Sequence, residues 1–313
     1  MKTKRIALLS AFSLLFAALS SAQTPLPFTM KPLGHNVYAA IDDAKGTSGA
    51  NAGFVIGDDG VAVIDTFENE AAAKALLAEI HKLTPLPIKF VINTHYHLDH
   101  VAGNKAFHDA GAVIIAHRNV PAWIHTENLK FFGKNIKPEQ KAEVESLYSP
   151  DVTYGTTLQL HLGSREIDVR FYLGHTGGDS VVLIPDSNVT FCGDLFWHDT
   201  LPNLIDATTS AWTETLAQLS AAYPQYTFVP GHGDVGKAAD VTAFRGYLAD
   251  LHAIVAPQAG TAKTDDELLA AVMPQLTEKY GKWNYFKYFA KRNVLDMAAE
   301  IRGSKKVPQP TKD

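Results

Sequence analysis

A layered α/β architecture, with two sheets packed face to face between helical layers, is what the sequence predicts, on three observations. Residues 60 to 116 read strand, helix, strand, helix, strand. The chain from Val152 to Cys192 is again rich in short apolar runs of strand length. Helical spacing of apolar residues brackets each half. No linker separates the halves and no internal repeat is evident. Residues 23–313 are therefore expected to form a single domain carrying C-terminal helices at about 264–302.

The elements follow in order. Met1-Lys2-Thr3-Lys4-Arg5 is basic, Ile6 to Leu19 is apolar but short for a bilayer, and Ser20-Ser21-Ala22 offers a small-residue cleavage site. Residues 1–22 thus read as a secretory signal peptide, with the mature chain starting at Gln23 and a periplasmic or secreted location. The competing reading, a membrane anchor, lacks a stop-transfer flank. No Cys near the cleavage point marks a lipoprotein. Phe28 to Leu33 and Asn36 to Ile41 read as the first strands, turned at Gly34-His35. Gly53 to Gly57 and Gly60 to Asp65 form a hairpin through Asp58-Asp59, and Glu68 to Leu83 is an Ala- and Leu-rich helix.

Pro87 to Ile92 is a buried strand, Val101 to Phe107 opens a helix, and Ala112 to Ala116 returns as a strand. Arg118 to Tyr148 reads as helical and laced with Trp123, Phe131 and Phe132. It is either a wall or lid, or an insertion that packs its aromatics on the core. Ser180 to Pro185 and Val189 to Cys192 pair through Asp186-Ser187-Asn188. Helices are expected at Ala211 to Ala222 and Ala238 to Val255, a strand at Tyr226 to Val229, and two helices within Thr264 to Arg302. The polar tail from Ser304 to Asp313 is expected to fray.

Composition excludes several classes. The net charge of −5 becomes more negative once Lys2, Lys4 and Arg5 are removed, which argues against a nucleic-acid partner. Beyond the leader no segment is apolar for long enough to cross a membrane. With one cysteine, Cys192, no internal disulfide is available and the core must carry stability. Oligomeric state is not legible. The expected partner is a small-molecule substrate.

The chemistry concentrates at Asn93-Thr94-His95-Tyr96-His97-Leu98-Asp99-His100, on the turn between a strand and a helix. His95 and His97, two apart in extended chain, face the same side and can pinch one metal ion. Asp99 and His100 follow as the chain turns and suit a second ion about 3.5–4 Å from the first. Ordinary surface histidines are the bland alternative, but three His and one Asp within six residues after an apolar strand are hard to place as packing. One turn cannot complete two coordination spheres, so distant ligands are required. His175 in Leu173-Gly174-His175, Asp194 in Cys192-Gly193-Asp194 and His232 in Pro230-Gly231-His232 each lie past an apolar run.

In order and context these motifs resemble those of the metallo-β-lactamase superfamily of binuclear zinc hydrolases, over roughly residues 27 to 250. The resemblance implies the four-layer αββα sandwich. It also implies two zinc ions per chain: His95, His97 and His175 on the first, Asp99, His100 and His232 on the second, Asp194 bridging. It further implies hydrolysis of a carbonyl bond by ion-activated water, with Asp99 as the catalytic group that orients the water and handles its proton. No serine or cysteine nucleophile is needed.

Cys192 lies two residues before Asp194, and some β-lactamases of this superfamily place a cysteine at the bridge. The Gly193-Asp194 pair favours the Asp-bridged branches and a buried structural Cys192. His35, His81, His108, His117, His125, His161 and His252 fall outside the motifs and are expected to be solvated or core-satisfied. In the loop after Asp194, substrate contact by Trp197, His198 or Asn203 stands against simple loop packing. The motif does not name the substrate. Export suits a β-lactamase and argues against a glyoxalase II, a cytosolic thioesterase with a dedicated helical appendage; Lys279, Lys282, Lys287, Lys291 and Arg292 could imitate that appendage, but a basic solvated helix face is the favoured reading. No Lys shortly after Asp194 is placed to hold a drug carboxylate. An exported thioesterase or lactonase is the alternative to lactam hydrolysis, and a di-iron redox protein on the same ligands is a third.

Overall fold

The computed structural model describes residues 25–42 and 45–309. The expected signal peptide, residues 1–22, lies outside the described residues.

The first sheet has seven strands in sequence order: β1 (Phe28–Gly34), β2 (Val37–Asp42), β3 (Ala52–Ile56), β4 (Val61–Ile64), β5 (Ile88–Ile92), β6 (Val113–His117) and β7 (Val152–Tyr154). β1 to β4 are antiparallel, and β4 to β7 run parallel. The parallel strands are joined through α1 (Glu70–Leu83), then through α2 (Leu98–Val101) and α3 (Asn104–Asp109), and last through an insertion holding α4 (Val120–Trp123) and α5 (Pro138–Glu145). The second sheet has five strands in the order β12-β11-β10-β9-β8: β8 (Thr157–Leu162), β9 (Arg165–Tyr172), β10 (Asp179–Ile184), β11 (Val189–Trp197) and β12 (Thr227–His232). Between β11 and β12 lies α6 (Thr209–Ala222), and α7 (Ala238–Ala259), α8 (Asp265–Tyr280) and α9 (Phe286–Ile301) follow.

Period-two alternation sorts side chains into layers. Val61 and Val63 on β4 pack with Leu76 and Ile80 of α1 and Phe107 of α3. Their neighbours Ala62 and Ile64 turn inward, to meet Val182, Ile184 and Val189 of the other sheet. On β10 the same residues' neighbours, Val181 and Leu183, face Trp212 of α6 and Phe244 and Leu248 of α7. The result is helix, sheet, sheet, helix, as the sequence predicts.

Three local readings change. The segment Arg118 to Tyr148 is not a continuous helix: only α4 and α5 are α-helical, with a 3₁₀ stretch at Glu127–Asn135 broken by Gly133 at φ 65°. Pro121 and Pro138 start the helices, Gly133 breaks the stretch between them, and Trp123, Ile124, Leu129 and Phe132 pack on Tyr96, Leu98 and Val144 from these short pieces rather than from one continuous helix face. The helix expected from Val101 starts at Leu98 and breaks at Gly103, where a Cβ would collide with Thr66 and Ala73. The described part of the tail does not fray: Lys305 Nζ donates to the Ala207 carbonyl at 2.6 Å, and the Trp123 indole donates to the Gln309 carbonyl at 3.3 Å.

Candidate metal centre

All seven sequence-predicted residues come together. His95, His97, Asp99 and His100 lie on the turn from β5 into α2, His175 on the connection from β9 to β10, Asp194 inside β11, and His232 at the last position of β12. The Asp194 position requires a distortion. The β11–β12 register shifts on both sides of Gly193, which sits at φ 48° against Thr94. Such a bulge re-aims the side chain that follows it.

Two groups of donors result. One donor atom each from His95, His97, His175 and Asp194 lie within 4.8 Å of one another, and so do those of Asp99, His100 and His232. Asp194 joins them through separate oxygens. Its Oδ2 is 3.2 Å from His175 Nε2 and 3.8 Å from His95 Nε2. Its Oδ1 is 3.1 Å from His100 Nε2 and 3.4 Å from His232 Nε2. Asp99 Oδ2 stands 3.2 Å from His232 Nε2.

The donor set fits metal ions. His95 Nε2, His100 Nε2, His232 Nε2 and Asp194 Oδ1 are buried and form no hydrogen bond, although they lie this close. Buried polar atoms are ordinarily paired, and donors crowded together without hydrogen-bond geometry are what a shared cation requires. Imidazole nitrogen and carboxylate oxygen suit zinc.

Outer partners hold the rings. His100 Nδ1 meets Asp65 Oδ2 at 2.8 Å, and Asp65 also accepts from the Thr94 N–H and hydroxyl at 2.7 Å each. His95 Nδ1 is 3.1 Å from Thr94 Oγ1. Asn51 donates to the Pro230 and Gly233 carbonyls at 2.9 and 2.8 Å and so ties the His232 loop to β3. Sequence reasoning missed Asp65, Asn51 and Asp206, which meets His97. Only Asp65 left a signal, an acid closing an apolar strand run.

The charges are coupled. Burial would raise the Asp194 carboxyl, but His232, His100 and His175 around it hold it well below the usual carboxylate range. His232 goes the other way: burial opposes its charge, and Asp194 and Asp99 outweigh that and push it up to about 9. Burial, then His100 and His97, holds His95 well below the ordinary imidazole value.

A cavity of about 550 Å³ opens over the centre. Phe131 and Phe132 of the insertion face it from one side, and Tyr285, Tyr288 and Phe289 at the start of α9 from the other. No Lys or Arg is among its lining residues. Trp197 stacks on His232 at 3.9 Å and lines it, as does Asn203. His198 points away and bonds the Asp234 carbonyl through Nδ1 at 2.8 Å. Cys192 is buried in the helix-facing core, where burial pushes its thiol up to about 12. Among the other histidines, His117 stacks on Phe171 at 4.2 Å, and His125 bonds the Val144 carbonyl and Ser149 at 3.0 Å each.

Known proteins resemble this chain in sequence and fold. The family model described as "Metallo-beta-lactamase superfamily" matches residues 46–232. The chain is 24% identical to a metallo-beta-lactamase type 2 of Bacteroides fragilis, over 75% of this chain and 91% of that one. It is 23% identical to a linear primary-alkylsulfatase of a Pseudomonas species, over 71% of this chain but only 51% of that longer protein. Among solved structures, a metallo-beta-lactamase from Pontibacter korlensis superimposes with a TM-score of 0.58 at 23% identity, covering 71% of this chain and 99% of the other. The family model spans more than half of the sequence and includes every donor described above, and the chain belongs to the metallo-beta-lactamase superfamily, whose members are hydrolases.

Proposed function

We propose that the protein is an exported hydrolase that holds two zinc ions on His95, His97, His175 and on Asp99, His100, His232, bridged by Asp194, and cleaves a carbonyl bond in a small molecule. The observation that carries this is the Asp194 carboxylate, with one oxygen directed to each set of imidazoles at the floor of an open cavity. Bound there, the ions would polarise a carbonyl and lower the pKa of water. Asp99, whose side chain is 28% exposed while Asp194 is 3% exposed, faces the cavity and can orient water and take its proton. The aromatic walls would seat an apolar portion of the substrate and exclude water around the scissile bond.

β-Lactam hydrolysis is one form of this reading, supported by the relatives named for it. The cavity favours another. Six aromatic rings and no lining Lys or Arg suit an uncharged apolar ester, lactone or thioester better than a carboxylate-bearing drug. A panel of a cephalosporin, a carbapenem, an apolar ester, a lactone and a thioester, run on zinc-loaded protein, decides between them. Carbonyl hydrolysis in at least one member is expected, with the uncharged substrates ahead by about tenfold in kcat/KM, or ~1.4 kcal/mol of transition-state binding. Inactivity across the panel, or two irons with an absorption spectrum to match, would overturn the proposal in favour of redox chemistry.

Export rests on residues 1–22. Mass spectrometry of periplasmic protein should give Gln23 as the first residue, and retention of Met1 to Ala22 would end this part of the proposal.

A further inference from the structure

We infer that Asp206, on the loop between β11 and α6, is a positioning residue that selects the metal-binding tautomer of His97. The inference rests on the reading that His97 is a metal ligand. Asp206 is 2% exposed and is used on both oxygens. Its Oδ2 accepts from the Tyr96 hydroxyl at 2.6 Å and lies 3.4 Å from His97 Nε2. Its Oδ1 accepts from Lys130 Nζ at 3.1 Å.

The other nitrogen of His97, Nδ1, faces the donor cluster, 2.9 Å from His175 Nε2. A neutral imidazole carries one proton and can place it on either nitrogen. With the proton on Nε2, donated to Asp206, the Nδ1 lone pair is free for an ion. With the proton on Nδ1, coordination is blocked. A buried carboxylate beside Nε2 decides in favour of the first form, as carboxylates behind metal-bound histidines commonly do. Tyr96 and Lys130 hold that carboxylate in place. His97 differs in this from His95, whose outer nitrogen meets only a hydroxyl.

Lys130 also connects the ligand to the cavity wall. It belongs to the insertion, directly before Phe131, and the Phe131 ring stands edge-on to His97 at 4.9 Å and 88°. The metal ligand and the aromatic wall beside it are thus fastened to one carboxylate.

The test is cobalt titration of protein stripped of metal by dialysis against a chelator, followed by visible absorption, for wild type, Asp206→Asn, Asp206→Glu and Lys130→Met. Wild type is expected to bind two equivalents. Asp206→Asn should bind one of them about 10–100-fold more weakly, with an altered ligand-field band. Asp206→Glu, which keeps the acceptor, should recover part of that loss. Lys130→Met should weaken the same equivalent by a few-fold, and this rim variant carries the test if Asp206→Asn does not fold. A purely structural role would lower the melting temperature of the stripped protein and leave cobalt affinity and spectrum alone, and that result overturns the inference. Wild type that binds no cobalt would instead sink the metal reading of His97 itself.

Discussion

Asp194→Ala is expected to abolish hydrolysis, by 10³-fold or more on an order-of-magnitude reckoning, and to strip one of the two metal equivalents while the far-UV circular dichroism stays that of the parent. The carboxylate is the group shared by both donor sets, so on the proposed two-ion reading its loss would cost each ion a ligand and remove the charge between them. The fold does not depend on it. His100 keeps Asp65 at 2.8 Å and His232 keeps Asp99 at 3.2 Å, so neither buried imidazolium is left without a counter-charge. Gly231→Ala should act in the same direction, because a Cβ there would overlap Asp194 Oδ1. Cys192→Ala is the contrasting variant: its thiol packs in the helix-facing core, and the change should cost roughly 1 kcal/mol of stability with metal content intact. Metal analysis of the three purified proteins checks the set. Loss of metal from Cys192→Ala with retention in Asp194→Ala would reverse the assignment.

The second large effect is on pH. In the metal-free protein Asp194 and Asp99 hold His232 protonated up to about 9, above the 6.5 of a free imidazole. A group whose folded value is raised contributes stability that is complete below 6.5 and is lost as pH climbs through about 9. For His232 this is on the order of 3 kcal/mol. His100 is raised for the same reason, by Asp194, Asp99 and Asp65 against the effect of burial, and adds in the same direction. Metal binding must expel these protons, so affinity for zinc rises over the same window. The melting temperature of stripped protein should therefore fall by several degrees between about pH 6.5 and about pH 9, while the gap to zinc-loaded protein widens. Calorimetry on both forms measures it. A gap that narrows with pH would mean that protons and metal do not compete for these residues.

The layers were legible because strands such as β4 and β10 are short apolar runs, buried at every position, set between helical stretches, and four of the seven candidate donors because they crowd a single turn. What escaped was held by isolated residues. Asp206 lies 109 residues from His97 and carries no local pattern, so only the folded chain reveals their contact. The Arg118 to Tyr148 region looked helical because its composition is tolerant of helix. It broke where Gly133, at positive φ, and Pro138 interrupt it, and its apolar residues are buried from separate short pieces.

The two sides of the cavity have different addresses in the gene. Every metal donor lies within residues 46–232, and so do Phe131 and Phe132, whereas Tyr285, Tyr288 and Phe289 lie downstream of the matched family region. On the proposed reading, the groups for the chemistry and part of the surface that would seat the substrate come from different stretches of the chain. A laboratory library confined to the cavity-facing Tyr285, Tyr288 and Phe289 should then shift substrate preference with the metal content unchanged.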